Sequence, residues 1–194
     1  MSHGHGGHGL VEGENKKIAI LISVLALFLA IAETLGKSAQ TDALKYNVEA
    51  SNLWAFFQAK TIRKTTMETA AEQMEVDLRL ARDPAVREVL DKRINEWKAR
   101  AARYESEPET QEGRKELSAR ARGLQAKSEH AMAKYHSYEF GSAAFQIAIV
   151  LASAYLITQV VYLLWGAIGL GVIGLAFSAI GLAAPNALHL FGAH

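Results

Sequence analysis

The chain has 194 residues, half of them hydrophobic, no cysteine and a formal net charge of +1. The lack of cysteine excludes disulfides, thiolate nucleophiles and thiolate metal sites, and the near balance of charge excludes the one-sided basic field of a nucleic-acid groove. The average conceals a segregation, because 19 of the 21 Lys and Arg and 17 of the 20 Asp and Glu lie between Lys37 and Glu139.

Residues 1–17, MSHGHGGHGLVEGENKK, are Gly-rich and polar, which predicts a disordered tail that cannot bury enough surface to offset the entropy of ordering. His3, His5 and His8 offer neutral imidazoles to a divalent transition metal. The glycines between them work against preorganisation, so weak metal binding is the only cofactor chemistry expected. From Ile18 to Ala32 the chain is apolar except for Ser23, with Lys16 and Lys17 directly before it. The following residues hold no clear small-x-small cleavage site, and residues 18–36 are expected to be a retained first transmembrane helix with Glu33 near its end.

Residues 37–140 read as an extramembrane helical hairpin. Met67, Ala71, Met74 and Leu78 form a narrow packing seam, followed by Leu90, Ile94, Trp97, Ala101 and Tyr104. Asp83 before Pro84 has the pattern of an N-cap with proline at the first helical position. Ser106, Pro108 and Glu109 give a second punctuation with capping-box spacing. Leu117, Ala121, Leu124, Ser128, Ala131, Tyr135 and Tyr138 then hold a four-three alternation. At 1.5 Å per residue, an outgoing helix over 37–81 is about 68 Å long and the two returning segments, 84–105 and 107–140, total about 84 Å. A tip at Pro108 would leave about 104 Å outward against about 50 Å of return. The tip is therefore expected near Asp83, with a kink near Pro108.

Gly141 to Pro185 contains no Asp, Glu, Lys, Arg or His. That run is about twice the roughly 20 residues needed to cross a 30 Å hydrocarbon core. It predicts a second span over 141–165 and a third over 166–185, turning near Trp165 and Gly166, with a short tail over 186–194. Gln146 and Gln159 lie in the second span. Ala167, Gly171, Gly174, Ser178 and Gly181 line one face of the third, and such small-residue faces mark close helix contacts within or between subunits.

The most distinctive soluble stretch is Ala50–Arg63, with three aromatics in four positions at Trp54, Phe56 and Phe57. On a helix Trp54 and Gln58 share a face, and Phe57 neighbours Lys60. The simplest expectation packs Trp54 and Phe57 on the returning helix near Tyr135 and Tyr138, leaving Lys60, Arg63 and Lys64 solvated. The alternative is a docking surface for a partner protein or lipid headgroups. The segment resembles the bacterial membrane-protein family called domain of unknown function family 4337. That family's Trp-x-(Tyr/Phe)-(Tyr/Phe)-Gln-Ala-Lys-x-Ile-(Lys/Arg) pattern is matched by Trp54, Phe56, Phe57, Gln58, Ala59, Lys60, Ile62 and Arg63. The resemblance implies a polar tail, one span, a charged helical region and a final hydrophobic pair; it implies no activity.

The fold class expected is an all-α integral membrane protein with three transmembrane helices and a long, coiled-coil-like antiparallel hairpin between the first and second. The function expected is a non-enzymatic scaffold or accessory subunit, multi-pass in a bacterial inner membrane, that self-associates through the hairpin and the Gly-rich third span. Its partners are then the lipid bilayer, further copies of the chain and an unidentified membrane protein, with no nucleic acid. A transport or channel component is the alternative, motivated by Glu33, Gln146 and Gln159 and requiring them to share one cavity. No HExxH, Gly-rich phosphate loop or GxSxG pattern supports an enzyme. Counting Lys and Arg near the span ends favours a cytoplasmic hairpin, while Lys16 and Lys17 pull the other way.

Overall fold

The computed structural model describes residues 8–185, with side chains described from Asn15 onward. Four helices account for nearly all of it, with no strand among the described residues: α1 His8–Leu80, α2 Pro84–Glu105, α3 Arg114–Thr158 and α4 Val161–Ala183. Three of them, α1, α3 and α4, contain stretches long and apolar enough to cross a membrane. The backbone is already helical at His8, so the tail assigned to residues 1–17 is shorter than its composition suggests. Once a helix is nucleated, each added residue gains a hydrogen bond at little further cost.

The chain forms two compact units, one of residues up to 43 with those from 129 onward, the other Leu44–Ser128. In the second unit the turn at Asp83 is where the sequence places it. The Asp83 carboxylate accepts from the Ala85 amide at 2.9 Å, and Pro84 opens α2. Such a cap contributes about 1 kcal/mol. Arg87 closes the preceding helix end by donating to the Ala81 carbonyl at 3.2 Å. From there the chain runs back along α1. Lys98 pairs with Glu75, Lys64 with Glu105 at 3.1 Å, Arg114 with Thr61 at 2.9 Å, and the Lys127 ammonium lies 5.9 Å from the Tyr46 ring. Partners that descend α1 as they climb the return define an antiparallel pair.

The buried positions Ala50, Ala71, Ile94, Ala101, Leu117 and Ala121 are mostly alanine, so the helices approach closely rather than enclose a thick core. The segment after Glu105 departs from expectation. Ser106 is the C-cap of α2, and α3 begins only at Arg114, so residues 106–113 form a loop instead of a kinked helix, and Glu109 caps nothing.

In the other unit, Leu25, Ala32, Phe145 and Ala148 form a core against which Phe28 and Leu170 pack. Phe28 and Phe145 stack at 6.0 Å. Outside it, Ile20, Val24, Leu27, Ile31, Val150, Ile157, Val172 and Leu182 are exposed. An apolar exterior around a tightly packed interior suits a hydrocarbon solvent. The hydroxyls follow the same rule, since Ser23, Ser153, Thr158 and Ser178 each donate to the carbonyl four residues back at 2.8–2.9 Å.

The turn between α3 and α4 is Gln159–Val160, six residues before the expected Trp165–Gly166. Gln159 adopts a left-handed φ of 59° and donates its side-chain amide to the Leu156 carbonyl at 3.2 Å. Gln111 does the same in the α2–α3 loop, with φ 59° and a 2.8 Å bond to Pro108 O. A polar residue that can cap the helix it leaves sets the turn, while Gly166 sits inside α4 facing Leu151.

Candidate functional site

The distinctive segment of α1 divides between two faces. Trp54 and Phe57 are half-buried and meet edge to face at 5.4 Å, and the Arg114 guanidinium lies 4.9 Å over the Phe57 ring. Phe56, Gln58, Ile62 and Arg63 point outward, Phe56 and Ile62 being 53% and 67% exposed. Within its own unit the aromatic pair is held by its mutual contact and by Arg114. Tyr138 packs over Gly36 and Gly181, and the returning chain of the hairpin meets Phe57 at Arg114, the first residue of α3.

Lys60, expected to be solvated, is buried at 8% exposure. It lies in one four-three row with Leu53, Phe57, Lys64, Met67, Ala71, Met74 and Leu78, all of which are at least half-buried. Opposite Lys60 the return is the 106–113 loop rather than a helix face, so polar groups fill the gap. The ammonium sits 3.8 Å from both Glu107 and Glu112 and 5.5 Å from the Tyr104 ring. A buried lysine is tolerated only when paired in this way.

Around it, Arg114 donates to Glu105 at 2.6 Å, Arg103 pairs with Glu107, and Glu116 accepts from the Ser106 hydroxyl at 2.6 Å and the Glu107 amide at 3.2 Å. Gly113 is required here, because a Cβ would collide with Glu107 N and the Glu116 carboxylate. Beside this joint lies a cleft of about 440 Å³ lined by Lys60, Arg100, Arg103, Tyr104 and Glu107. The arrangement can clamp two helices together.

Three carboxylates of the joint, Glu105, Glu107 and Glu116, are more acidic than usual. The Lys64 hydrogen bond and then the nearby Arg114 charge hold Glu105 below its ordinary value of 4.5. Arg103 does the same for Glu107, and the Ser106 hydroxyl for Glu116. A lowered folded-state pKa contributes stability that is present above the unfolded value and lost as pH falls through the folded one. The joint is therefore expected to loosen below about pH 4.5. Hydrogen exchange corrected for its intrinsic pH dependence should speed up across 101–117 between pH 7 and pH 3.5, and unchanged protection there would refute the clamp.

The residues that sequence reasoning missed are Arg114, Glu105, Glu107 and Glu112. A signal existed: Lys60 and Lys64 stand in register with an apolar seam, which demands carboxylates at the same height on the return, and residues 105–116 are rich in glutamate.

The small-residue face of α4 is occupied within the chain. Gly171, Gly174 and Gly181 are buried and Ser178 half-buried. A Cβ at Gly171 would lie 2.9 Å from Leu25, one at Gly174 2.7 Å from the Phe145 ring, and one at Gly181 3.1 Å from Ser137 and Tyr138. Ser178 and the Gly174 carbonyl in turn face Gly141. This face packs α4 onto α1 and α3, so it is not left free for another subunit. Nor do the three polar span residues converge. Gln146 donates to Glu33 at 3.1 Å, whereas Gln159 caps α3 at the turn.

His3 and His5 lie outside the described residues, as does the side chain of His8. Among the described residues no group of three His, Cys, Asp or Glu could hold a metal. No curated protein and no solved structure matches the chain. The sequence profile of a family described as a domain of unknown function, DUF4337, matches residues 14–184. With nearly the whole chain covered, the protein belongs to the DUF4337 family.

Proposed function

We propose that the protein is a non-enzymatic scaffold or accessory subunit of a bacterial inner membrane, with three spans and a coiled-coil-like hairpin outside the bilayer through which it self-associates. One observation carries the reading. Val48, Asn52, Ala55, Ala59, Ile62, Thr66, Thr69, Gln73, Val76 and Leu80 recur on α1 at alternating spacings of four and three, all exposed and none charged. At these spacings the row lies on the side of α1 away from the Leu53–Leu78 row that meets the return. Two copies anchored in one bilayer in the same sense bring their α1 helices together parallel and in register. Glu72 and Asp77 border the row and oppose their counterparts across such a pair, which makes the contact weak and strengthened by salt.

The cysteine-free chain permits a direct test. Ile62→Cys in native membranes is expected to give a disulfide-linked dimer under mild oxidation, because facing positions of such a seam fall within the reach of a disulfide. Glu68→Cys, on the other side of α1, is expected to stay monomeric. A monomeric Ile62→Cys, or equal crosslinking of both, rules out association through this row.

A further inference from the structure

The cleft beside the joint draws its lining from three elements: Lys60 from α1, Arg100, Arg103 and Tyr104 from α2, and Glu107 from the loop that follows. Its volume of about 440 Å³ falls within the roughly 300–1,000 Å³ of small-molecule sites. Spaced i, i+3 and i+4, Arg100, Arg103 and Tyr104 share one face of α2. The clamp leaves much of the bonding capacity here unused. Lys60 is buried, yet its ammonium stands 3.8 Å from Glu107 and Glu112, longer than the roughly 2.7–3.2 Å of a hydrogen bond. Its N–H donors therefore have charge partners but no acceptor at bonding distance among the described residues. Arg100 makes no ion pair and no side-chain hydrogen bond among the described residues. Arg103 gives one N–H to Glu107 and keeps the rest of its fork.

Three cations against one carboxylate leave the lining with two net positive charges; Glu112 meets Lys60 but does not line the cleft. That excess matches the dianion of a phosphomonoester better than a carboxylate or a sulfate ester, each of which carries one charge. Guanidinium forks fit phosphate oxygens in pairs. The cleft is also larger than one phosphate ion fills, and the Tyr104 hydroxyl and the remaining lone pairs of Glu107 can bond hydroxyl groups. We propose that this cleft binds a soluble phosphomonoester of a small polyhydroxylated molecule, with the phosphate on Arg100, Arg103 and Lys60 and the hydroxyls on Glu107 and Tyr104. Such a ligand touches α1, α2 and the loop together, so its binding tightens the joint. The proposal rests on neither membrane insertion nor self-association.

The test is isothermal titration calorimetry of the full chain in a non-ionic detergent, with glucose 6-phosphate as the probe and hydrogen exchange over residues 101–117 as a second readout. One site per chain is expected, with exchange slowed on binding. Glucose 6-sulfate keeps the shape with one charge less and is expected to bind about tenfold more weakly, the scale of one charge-assisted hydrogen bond. Inorganic phosphate, which has no body to fill the cleft, is also expected to bind more weakly, and glucose not at all. Phosphatidic acid added to the micelles lacks the hydroxyls and is expected to compete poorly. Arg100→Gln is expected to weaken glucose 6-phosphate about tenfold on the same scale. It removes no ion pair of the clamp, so its exchange without ligand should match the parent. Lys92→Gln, on α2 but outside the cleft, should bind as the parent does.

Equal affinities for the phosphate and sulfate esters, an unchanged affinity in Arg100→Gln, or an equal loss in Lys92→Gln would overturn the assignment. So would phosphatidic acid binding more tightly than the sugar ester, or the lack of both heat and slowed exchange at millimolar glucose 6-phosphate. Should Arg100→Gln fail to fold, the two glucose esters decide on the parent protein.

Discussion

Gly174→Leu is expected to unfold the packing of α4 on α3 in a single protomer, whereas Gly169→Leu is expected to be tolerated. The Cβ alone would lie 2.7–3.0 Å from three atoms of the Phe145 ring. That ring cannot retreat, being 1% exposed and stacked on Phe28. Overpacking of this kind costs about 1–3 kcal/mol, and more where nothing can yield. Gly169 has nothing within 4 Å of an added Cβ and sits on the exposed side of the same helix, so it controls for the helix propensity and hydrophobicity of leucine. Thermal unfolding of the detergent-solubilised protein should separate the two variants by several degrees. If Gly174→Leu instead kept the parent's midpoint and lost only mass in sizing experiments, the small-residue face would be an intersubunit surface after all.

Arg114→Ala is expected to loosen the joint of the other unit by about 2–3 kcal/mol, the sum expected for a charged hydrogen bond and a cation–π contact. Arg114 donates to Thr61 at 2.9 Å and to Glu105 at 2.6 Å and covers the Phe57 ring. Glu105 keeps Lys64 as a partner, which caps the loss. Arg114→Lys should recover only part of it, because an ammonium cannot reach two acceptors and stack on a ring at once. Chemical denaturation with hydrogen-exchange readout over residues 54–64 and 105–117 tests this. Parent-like protection in Arg114→Ala would mean that the aromatic pair holds the joint unaided.

What could be read from residues alone was whatever depends on local chemistry. Asp83 before Pro84 carries its turn in two side chains, and the seams at Met67–Leu78 and Leu90–Tyr104 recur at spacings that only a helix brings to one face. The uncharged run from 141 to 185 shows its double length directly. Its turn was misplaced because the choice between Gln159 and Gly166 depends on a side-chain amide reaching back to Leu156, which apolar periodicity does not encode. The small-residue face was visible, but its partner was not, since Gly171 against Leu25 is a contact between residues 146 positions apart. Lys60 was misread for a different reason. Its charge suggested water, while its register with Phe57 and Ala71 placed it inside, and only the loop opposite explains how both hold.

The connection between α3 and α4, Gln159–Val160, is two residues long. With so little chain between them, α3 and α4 are tethered at one end, and α4 doubles back along Gly141 and Phe145. A flexible insert at this connection is expected to release that tether and leave the pairing to those close contacts alone, whereas the native turn keeps the two helices at a high effective concentration for each other.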